Sequence, residues 1–236
     1  MDIKIRQAQL EILNIFSKYS KTFALTGGTA LELYYLKHQF SRDLDFFSTE
    51  YDKKEIKLLV SYFSKLTGNK IKLENEFTMS NRARVQFYTM QVPGSKYSLK
   101  IDFIEDVLFE KPNIIKFNGI PVYDIKLIYF QKITTVTGMR FAMNETGREI
   151  ITGRKEARDV VDLYFLSKKV SPLHLFLRTL PSEFQRGMIL WYRSFSRQEF
   201  KIDFLDLEVY DKSLDGSKIV VYLENEIKKF ISGVLK

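Results

Sequence analysis

The chain has 236 residues and a hydrophobic share of 45%, with 13 tyrosines and 20 phenylalanines, which permits a full hydrophobic core and excludes a disordered protein. It has no cysteine, which excludes disulfides, thiolate catalysis and cysteine-based metal sites, and its two histidines argue against a histidine-rich zinc site. The net charge of +8 favours a polyanionic partner such as nucleic acid or a nucleotide.

The first predicted element is an amphipathic helix over residues 7–19, where apolar side chains recur at close to helical spacing. The N-terminal segment has no long apolar core behind a basic start, so it does not resemble a secretory signal. No apolar run in the chain is long enough to span a bilayer. We therefore expect a cytoplasmic protein without a membrane partner.

A double glycine stands inside the stretch LTGGTALELYYLKHQFSRDLDFFS, residues 25–48. A short strand is predicted to end at Gly27 and Gly28, and Thr29 can cap a buried helix that follows. Glycines let the backbone approach a ligand, and the start of a helix directs N–H groups at an anion. The alternative is a tight turn, because neither a P-loop lysine nor the third glycine of a dinucleotide fold follows.

The end of the same stretch predicts a strand over residues 41–48, with Asp43 and Asp45 on one face and apolar residues on the other. Two carboxylates this close repel each other unless a cation lies between them. Hard oxygen ligands suit Mg²⁺ or Mn²⁺, so the stretch indicates a site for a nucleoside triphosphate. An Asp-x-Asp pair also occurs in metal-dependent glycosyltransferases, and a solvated strand edge is the simplest alternative.

A helix over residues 54–69 and three strands follow, the strands over residues 70–77, 83–92 and 97–105. In the last strand, Asp102 is on the polar face. If this strand lies beside Asp43 and Asp45, Asp102 completes an acidic triad. A second Lys-Ile-Asp-Phe begins at Lys201, and we interpret its Asp203, with the nearby Asp206, as a surface or loop acid.

After Pro121 the pattern is helical. The predicted helices cover residues 124–138, 155–169, 172–180, 182–195 and 217–235. The predicted fold class is therefore α+β, with an α/β domain over residues 1–121 and a helical domain over residues 122–236. Trp191 and its aromatic neighbours are expected in the core of the helical domain.

Gly-Gly-Thr, a buried helix and Ser-x-Asp-Leu-Asp-Phe together resemble motif one of the polymerase-β-like nucleotidyltransferases. The later RKEARDVVDLYFL is similar to the closing motif of the AbiEii/AbiGii toxin branch, which follows a lysine helix. Here that helix is LIYFQKITTVTGMR, with Lys132 and Arg140 in the lysine and arginine positions. The resemblance covers residues 22–166, and the segment FAMNETGREIITG between Arg140 and Arg154 departs from it.

The resemblance implies a polymerase-β-like nucleotidyltransferase core with a mixed sheet, followed by a C-terminal helical domain that contributes lysine and aspartate motifs to the site. It implies transfer of a nucleoside monophosphate from a nucleoside triphosphate, with Mg²⁺ or Mn²⁺ as cofactor. The implied metal ligands are Asp43, Asp45 and Asp102. The implied catalytic set adds Lys132 and Asp159, and the implied nucleotide-binding set is Gly27, Gly28, Thr29 and Lys132. Asp162 is given a supporting role, or pairs with Arg158 on the helix surface.

The acceptor that the resemblance implies is RNA, at the 3′ end of tRNA, and the branch is similar to toxins of toxin–antitoxin and phage-defence systems, which implies a cognate antitoxin. A basic cluster of Arg148, Arg154, Lys155 and Arg158 is either a solvated face or an RNA-phosphate patch. His38 is interpreted as a helix-end residue. The alternatives are a small-molecule nucleotidyltransferase of the antibiotic-modifying type and a non-catalytic binding relative of the fold.

Overall fold

The computed structural model describes residues 1–78, 83–138, 142–143, 145 and 149–234. The chain forms two compact units: Met1–Tyr35 with Phe40–Leu127, and Leu36–Gln39 with Ile128–Lys236. Pro121, near which the domain boundary was predicted, lies in a strand. The functional division into residues 1–121 and 122–236 stays a prediction.

The first unit alternates helices and strands before it ends in a hairpin. Its elements are α1 (Ile3–Tyr19), β1 (Ala24–Thr26), α2 (Gly27–Ala30, which continues as a π-helical segment, Leu31–Leu36), β2 (Leu44–Ser48), α3 (Lys53–Thr67), β3 (Ile71–Phe77), β4 (Val85–Gln91), β5 (Ser98–Glu105), β6 (Ile114–Phe117) and β7 (Ile120–Tyr123). Helix α1 begins earlier than predicted because Asp2 caps it, accepting from the N–H groups of Lys4 and Ile5 at 3.0 and 3.2 Å.

A seven-stranded sheet in the order β3–β4–β5–β2–β1–β7–β6 organises this unit. Strand β2 is parallel to β5 and strand β1 is parallel to β7, whereas the other neighbouring pairs are antiparallel. The sheet is thus mixed, as predicted. The parallel β2–β5 pair matters most, because it places the two strands that carry the predicted carboxylates side by side.

One face of this sheet forms the core of the first unit. Phe46 of β2 and Phe103 of β5 are fully buried and pack with centroids 5.4 Å apart, and Phe16 of α1 stacks on Phe46 at 4.1 Å. Because side chains alternate along a strand, the intervening residues of β2 and β5 face the other way. The apolar face therefore holds the sheet against α1, and the opposite face carries the partly exposed Asp45 and Asp102.

Two features differ from the predicted elements of this unit. The β6–β7 hairpin was not predicted, although it turns at Asn118 and Gly119, whose φ angles of 50° and 83° are those of the tight hairpin turn that Asn-Gly favours. The prediction that Thr29 caps its helix is wrong: helix α2 begins at Gly27 with Thr26 as the N-cap residue.

The second unit contains the remaining helices. They are α4 (Ile125–Thr137), α5 (Ala157–Lys169), α6 (Leu173–Arg178), α7 (Ser182–Ser194), α8 (Arg197–Phe204) and α9 (Gly216–Val234), with a two-stranded ribbon of β8 (Ala142–Met143) and β9 (Glu149–Ile150). The first three residues of α4 belong to the first unit, and the helix is part of the second unit from Ile128 onward. Helix α8 was not predicted, and the exposed Asp203 lies in it. The long helix α9 packs its apolar stripe on α5, α6, α7 and α8, and Trp191 of α7 is buried as predicted.

Within the described residues, no helix combines the length and the apolar composition needed to cross a membrane.

Candidate active site

Two of the predicted carboxylates lie side by side in the sheet. Asp45 of β2 and Asp102 of β5 are in register in the parallel pair, and both are partly exposed on the polar face. Neighbouring strands are about 4.8 Å apart, so residues in register on one face bring their side chains close together. The placement of Asp102 beside Asp45, which the sequence left conditional, is therefore observed.

Asp43 lies just before β2, two residues ahead of Asp45, and is partly exposed. Its carbonyl oxygen accepts a short hydrogen bond from the hydroxyl of Thr29, which is fully buried. The threonine of the Gly-Gly-Thr motif thus fixes the backbone that enters the acidic strand. That contact links the two ends of the motif directly.

The two glycines of the motif leave room for side chains of the chain itself. Gly27 has a φ of +71°, and a β-carbon at this position would overlap Oδ2 of Asp45. A β-carbon on Gly28 would lie 2.8 Å from Oγ of Ser41. The close approach that these glycines permit is therefore, in this structure, an approach by Asp45 and Ser41.

A buried carboxylate that sequence reasoning missed holds the turn before β2. Glu32, 2% exposed, accepts from the backbone N–H of Ser41 at 2.8 Å and forms a short ion pair with Arg6. The side-chain amide of Gln9 donates to the carbonyl oxygen of Ser41 at 3.0 Å. A glutamate inside a helix that is otherwise apolar was the available signal, since a buried charge needs a partner.

The predicted acidic residues are a pair in register with a third residue upstream, rather than a group of three placed to hold a metal ion. Across the part of the chain that the structure describes, no group of three or more histidine, cysteine, aspartate or glutamate side chains is placed to hold a metal ion. The geometry is instead a pair of carboxylates in register, Asp45 and Asp102, with Asp43 upstream. Mg²⁺ commonly takes one or two carboxylates and completes its shell with water and substrate phosphates, so the donor chemistry of this pair fits that ion.

In the second unit, the predicted lysine and aspartates form one buried cluster. Nζ of Lys132, on α4, lies 2.8 Å from Oδ1 of Asp159 and 2.6 Å from Oδ2 of Asp162, both on α5. The two carboxylates are 0% and 1% exposed. Residues three apart on a helix share a face, which is why both aspartates reach the same ammonium group.

The charges in this cluster stabilise one another. Burial disfavours the charged form of Lys132, but the carboxylates of Asp159 and Asp162 outweigh burial and raise the pKa of the lysine. Burial likewise opposes ionisation of both aspartates, yet Lys132, with Arg154 beside Asp159 and His38 beside Asp162, lowers the pKa of each. The cluster therefore holds ionised carboxylates around a protonated lysine.

The predicted basic cluster is only partly described. Arg140 and Arg148 lie outside the described residues. The guanidinium of Arg154 donates to both oxygens of Asp159, at 2.9 and 3.1 Å, and Lys155 is exposed. Arg154 is thus committed to a carboxylate in this structure, which weakens the interpretation of the whole set as one RNA-phosphate patch.

Two residues that were not predicted as site residues complete the buried cluster. His38 lies two residues after the end of the π-helical segment, in keeping with its interpretation as a helix-end residue, but it is 1% exposed and its Nε2 lies 2.6 Å from Oδ1 of Asp162. Gln39 donates to the same oxygen at 2.6 Å and to the carbonyl oxygen of Arg158 at 2.9 Å. These contacts join residues more than a hundred positions apart, and no local pattern marks them.

The chain matches a known protein family and is similar to two solved structures. A family model described as "Nucleotidyl transferase AbiEii toxin, Type IV TA system" matches residues 10–217. Among solved structures, the chain is similar to a "putative nucleotidyltransferase from H. pylori", with 17% identity, 98% of this chain and 96% of that chain covered, and a TM-score of 0.59. It is also similar to JHP933 from Helicobacter pylori, with 17% identity, 98% and 94% coverage, and a TM-score of 0.57. No curated protein matches the chain.

The two structural likenesses, at 17% identity, concern the fold alone, and they confirm the predicted nucleotidyltransferase fold with its mixed sheet and C-terminal helices. The family model covers most of the chain, from a point within α1 to the start of α9. The chain therefore belongs to the AbiEii nucleotidyl transferase toxin family of type IV toxin–antitoxin systems and is a nucleotidyltransferase.

Proposed function

We propose that this nucleotidyltransferase moves a nucleoside monophosphate from a nucleoside triphosphate to RNA, at the 3′ end of tRNA, with release of pyrophosphate. The observation that carries the proposal is the in-register pair of Asp45 and Asp102, next to a glycine that leaves room for the Asp45 carboxylate. Family membership supports the transfer itself and a cognate antitoxin as a partner.

Asp43, Asp45 and Asp102 are the residues that would hold Mg²⁺ or Mn²⁺. The fit rests on their chemistry, because all three offer hard oxygen ligands, and on the shared polar face of Asp45 and Asp102. When bound, the ion would supply positive charge against the triphosphate during transfer. Thr29 and Gly27 support these three carboxylates. Thr29 fixes the backbone of Asp43, and Gly27 leaves space for the side chain of Asp45.

Gly27 and Gly28 are also the residues that we assign to the β- and γ-phosphates, through their backbone N–H groups. The hydroxyl of Thr29 is already committed to Asp43, so the part we assign to Thr29 is to support the turn. Lys132 would add positive charge against the triphosphate. An ammonium group has three N–H donors, and the two carboxylate contacts of Lys132 leave one for a phosphate oxygen.

Asp159 acts, on this proposal, by orienting cations. It is fully buried, and its pKa is lowered despite burial because Lys132 and Arg154 contact it. A carboxylate whose pKa is lowered in this way is a weak proton acceptor, and its negative charge stays available to hold cations. Its contribution is therefore to hold the Lys132 ammonium and the Arg154 guanidinium in place.

RNA is the proposed acceptor because the protein carries excess positive charge, which attracts a phosphate backbone. The chain carries a net charge of +8, and an open groove of about 820 Å³ in the second unit is lined by three cationic side chains, Arg178 of α6 with Lys228 and Lys229 of α9. Asn225 and Ser232 add hydrogen-bonding groups to the same groove. Lys229 also pairs with Glu226 at 2.9 Å, which leaves an excess of positive charge for a phosphate backbone.

A comparison of two aspartates in the same local sequence tests the site. Asp102→Asn should lower transfer by several kcal/mol of transition-state stabilisation, at least about 1,000-fold, because a hard anionic ligand is lost. Asp203→Asn, in the second Lys-Ile-Asp-Phe, changes an exposed side chain and should leave transfer intact. The measurement is incorporation of label from each α-labelled nucleoside triphosphate into total RNA with Mg²⁺ present. Equal activity of the two variants would contradict the proposed site.

A further inference from the structure

His38 and Gln39 belong to a short segment, Leu36–Gln39, that is part of the second unit although its neighbours in the chain are not. The backbone of this segment is fixed at two points in that unit. The carbonyl oxygen of His38 accepts from the N–H of Tyr210 at 2.9 Å, and Gln39 forms an isolated bridge with Val209. The imidazole of His38 also packs edge-on against Phe165 of α5, with centroids 5.1 Å apart. The ring has a defined position.

The two oxygens of Asp162 have different partners. Oδ1 lies 2.6 Å from Nε2 of His38 and 2.6 Å from the side-chain nitrogen of Gln39. Oδ2 lies 2.6 Å from Nζ of Lys132. The two donors on Oδ1 favour the one orientation of the carboxylate in which Oδ2 faces the lysine.

The contacts also define the tautomer of His38. Asp162 is an ionised carboxylate, so it accepts and Nε2 of His38 carries the proton. Among the residues that the structure describes, Nδ1 has no hydrogen-bond partner, although it is buried. A second proton on Nδ1 would leave a buried donor unpaired, which is costly, so the neutral ring with Nε2–H fits these surroundings.

We propose that His38 is a positioning residue for the transfer reaction, which it serves by holding Asp162 so that Asp162 orients the Lys132 ammonium. Gln39 supports the same oxygen from the next position in the chain. The inference rests on the proposed role of Lys132 at the triphosphate. It adds a residue with no substrate contact of its own, and it explains why a histidine is buried against a carboxylate and a lysine.

The test compares kcat/KM for the nucleoside triphosphate, followed as pyrophosphate release with total RNA as acceptor. His38→Ala should lower kcat/KM by up to about 100-fold, because small displacements of a charged group are costly in catalysis. His38→Gln should restore most of it, since the glutamine side-chain nitrogen is as many bonds from Cα as Nε2 and can donate to Asp162. Ser167→Ala, which removes another buried polar group of α5, should leave kcat/KM unchanged.

The Lys132→Ala background separates this inference from the proposed function. Lys132→Ala alone should lower kcat/KM, and adding His38→Ala should lower it no further, because the group to be positioned is gone. If Lys132→Ala alone has no effect, the proposed role of Lys132 fails. If Lys132→Ala lowers activity but His38→Ala acts additively on it, or His38→Gln restores nothing, the positioning role is overturned.

A second measurement does not depend on turnover and is made on the wild-type protein, with His38→Gln used only to assign the signals. The chain has two histidines, so nitrogen NMR of the wild-type protein labelled at histidine gives two sets of ring signals. One set should show the neutral Nε2–H tautomer, and it should be the set missing from His38→Gln. A neutral ring protonated at Nδ1 would overturn the inference.

Discussion

Gly27 combines two constraints in one residue. Its φ of +71° disfavours any side chain, and the space where a β-carbon would stand is taken by the Asp45 carboxylate. The first constraint concerns stability and the second concerns the position of a predicted ligand. Gly68, which ends α3, has nearly the same φ of +69° but nothing within 4 Å of its β-carbon position.

The pair Gly27→Ala and Gly68→Ala separates these two effects. Each should lose about 1 kcal/mol of unfolding free energy through backbone strain alone. Gly27→Ala should lose more, because Asp45 must move, and its transfer rate should fall by about 100-fold. Urea unfolding and label incorporation measure the two quantities. If both variants lose the same stability and keep full activity, the packing of Asp45 on Gly27 has no part in the site.

The contact between α4 and α5 in the second unit is made through charge. Lys132 of α4 pairs with Asp159 and Asp162 of α5, and all three are buried. A buried ion pair contributes little net stability when intact, but breaking one by removing a partner typically costs about 3–5 kcal/mol. The stability of the contact between α4 and α5 therefore depends on the protonation of Lys132, Asp159 and Asp162.

Asp162→Asn should lose about 3–5 kcal/mol of unfolding free energy at pH 7. The pKa of Asp162 is lowered from its ordinary value of 3.8, so its contribution is complete above that value and is lost as the pH falls toward the folded-state pKa. Lys132, whose pKa is raised from 10.5, contributes below that pH and loses its contribution only as the pH rises beyond it. The difference between wild type and Asp162→Asn should hence be flat at neutral pH and shrink below about pH 4.

Urea unfolding of both proteins between pH 3 and 8 measures this difference. Asp203→Asn serves as the control, since its exposed side chain should change stability by less than about 0.5 kcal/mol throughout. A wild-type advantage that grows as the pH falls below 4 would show that Asp162 is not an ionised partner of Lys132.

Local patterns predicted most elements of this fold, and long-range contacts account for what they missed. The alternation in β5 placed Asp102 on the polar face, and helical spacing found α5. The β6–β7 hairpin was missed even though Asn118 and Gly119 are a strong turn signal, because the flanking strands are only four residues each. The contact of His38 with Asp162 spans 124 positions, so its partner could be found only in the folded chain.

For the molecule as a whole, positive charge is in excess, but its distribution decides what it can bind. The cations of the α6–α9 groove, Arg178, Lys228 and Lys229, line a concave surface. Arg178 packs over Gly233, where a β-carbon would overlap its guanidinium. Helix α3 also carries exposed lysines, and three of its four, Lys54, Lys57 and Lys65, make a suitable comparison.

Replacing the three groove cations with alanine should weaken RNA binding and flatten its salt dependence by about 2 units of slope, because each phosphate contact on a single strand contributes about 0.7. Replacing the three α3 lysines removes the same charge and should change the slope far less. The measurement is affinity for total tRNA over a salt series. Equal changes in both variants would indicate nonspecific attraction, and a flat slope in the wild type would remove RNA as the acceptor.

The contacts of residues Leu36–Gln39 also affect the order in which the protein folds during synthesis. These residues leave the ribosome early, but the groups that hold them, on Asp162, Lys169 and Tyr210, are synthesised more than a hundred residues later. During synthesis the α/β unit can pair its strands before the helices that contact these four residues have been made. Because closing so long a loop is slow, we expect the contacts of His38 and Gln39 with Asp162 to form late in folding. A nascent chain would then position the Asp162 carboxylate only after most of its residues have been made.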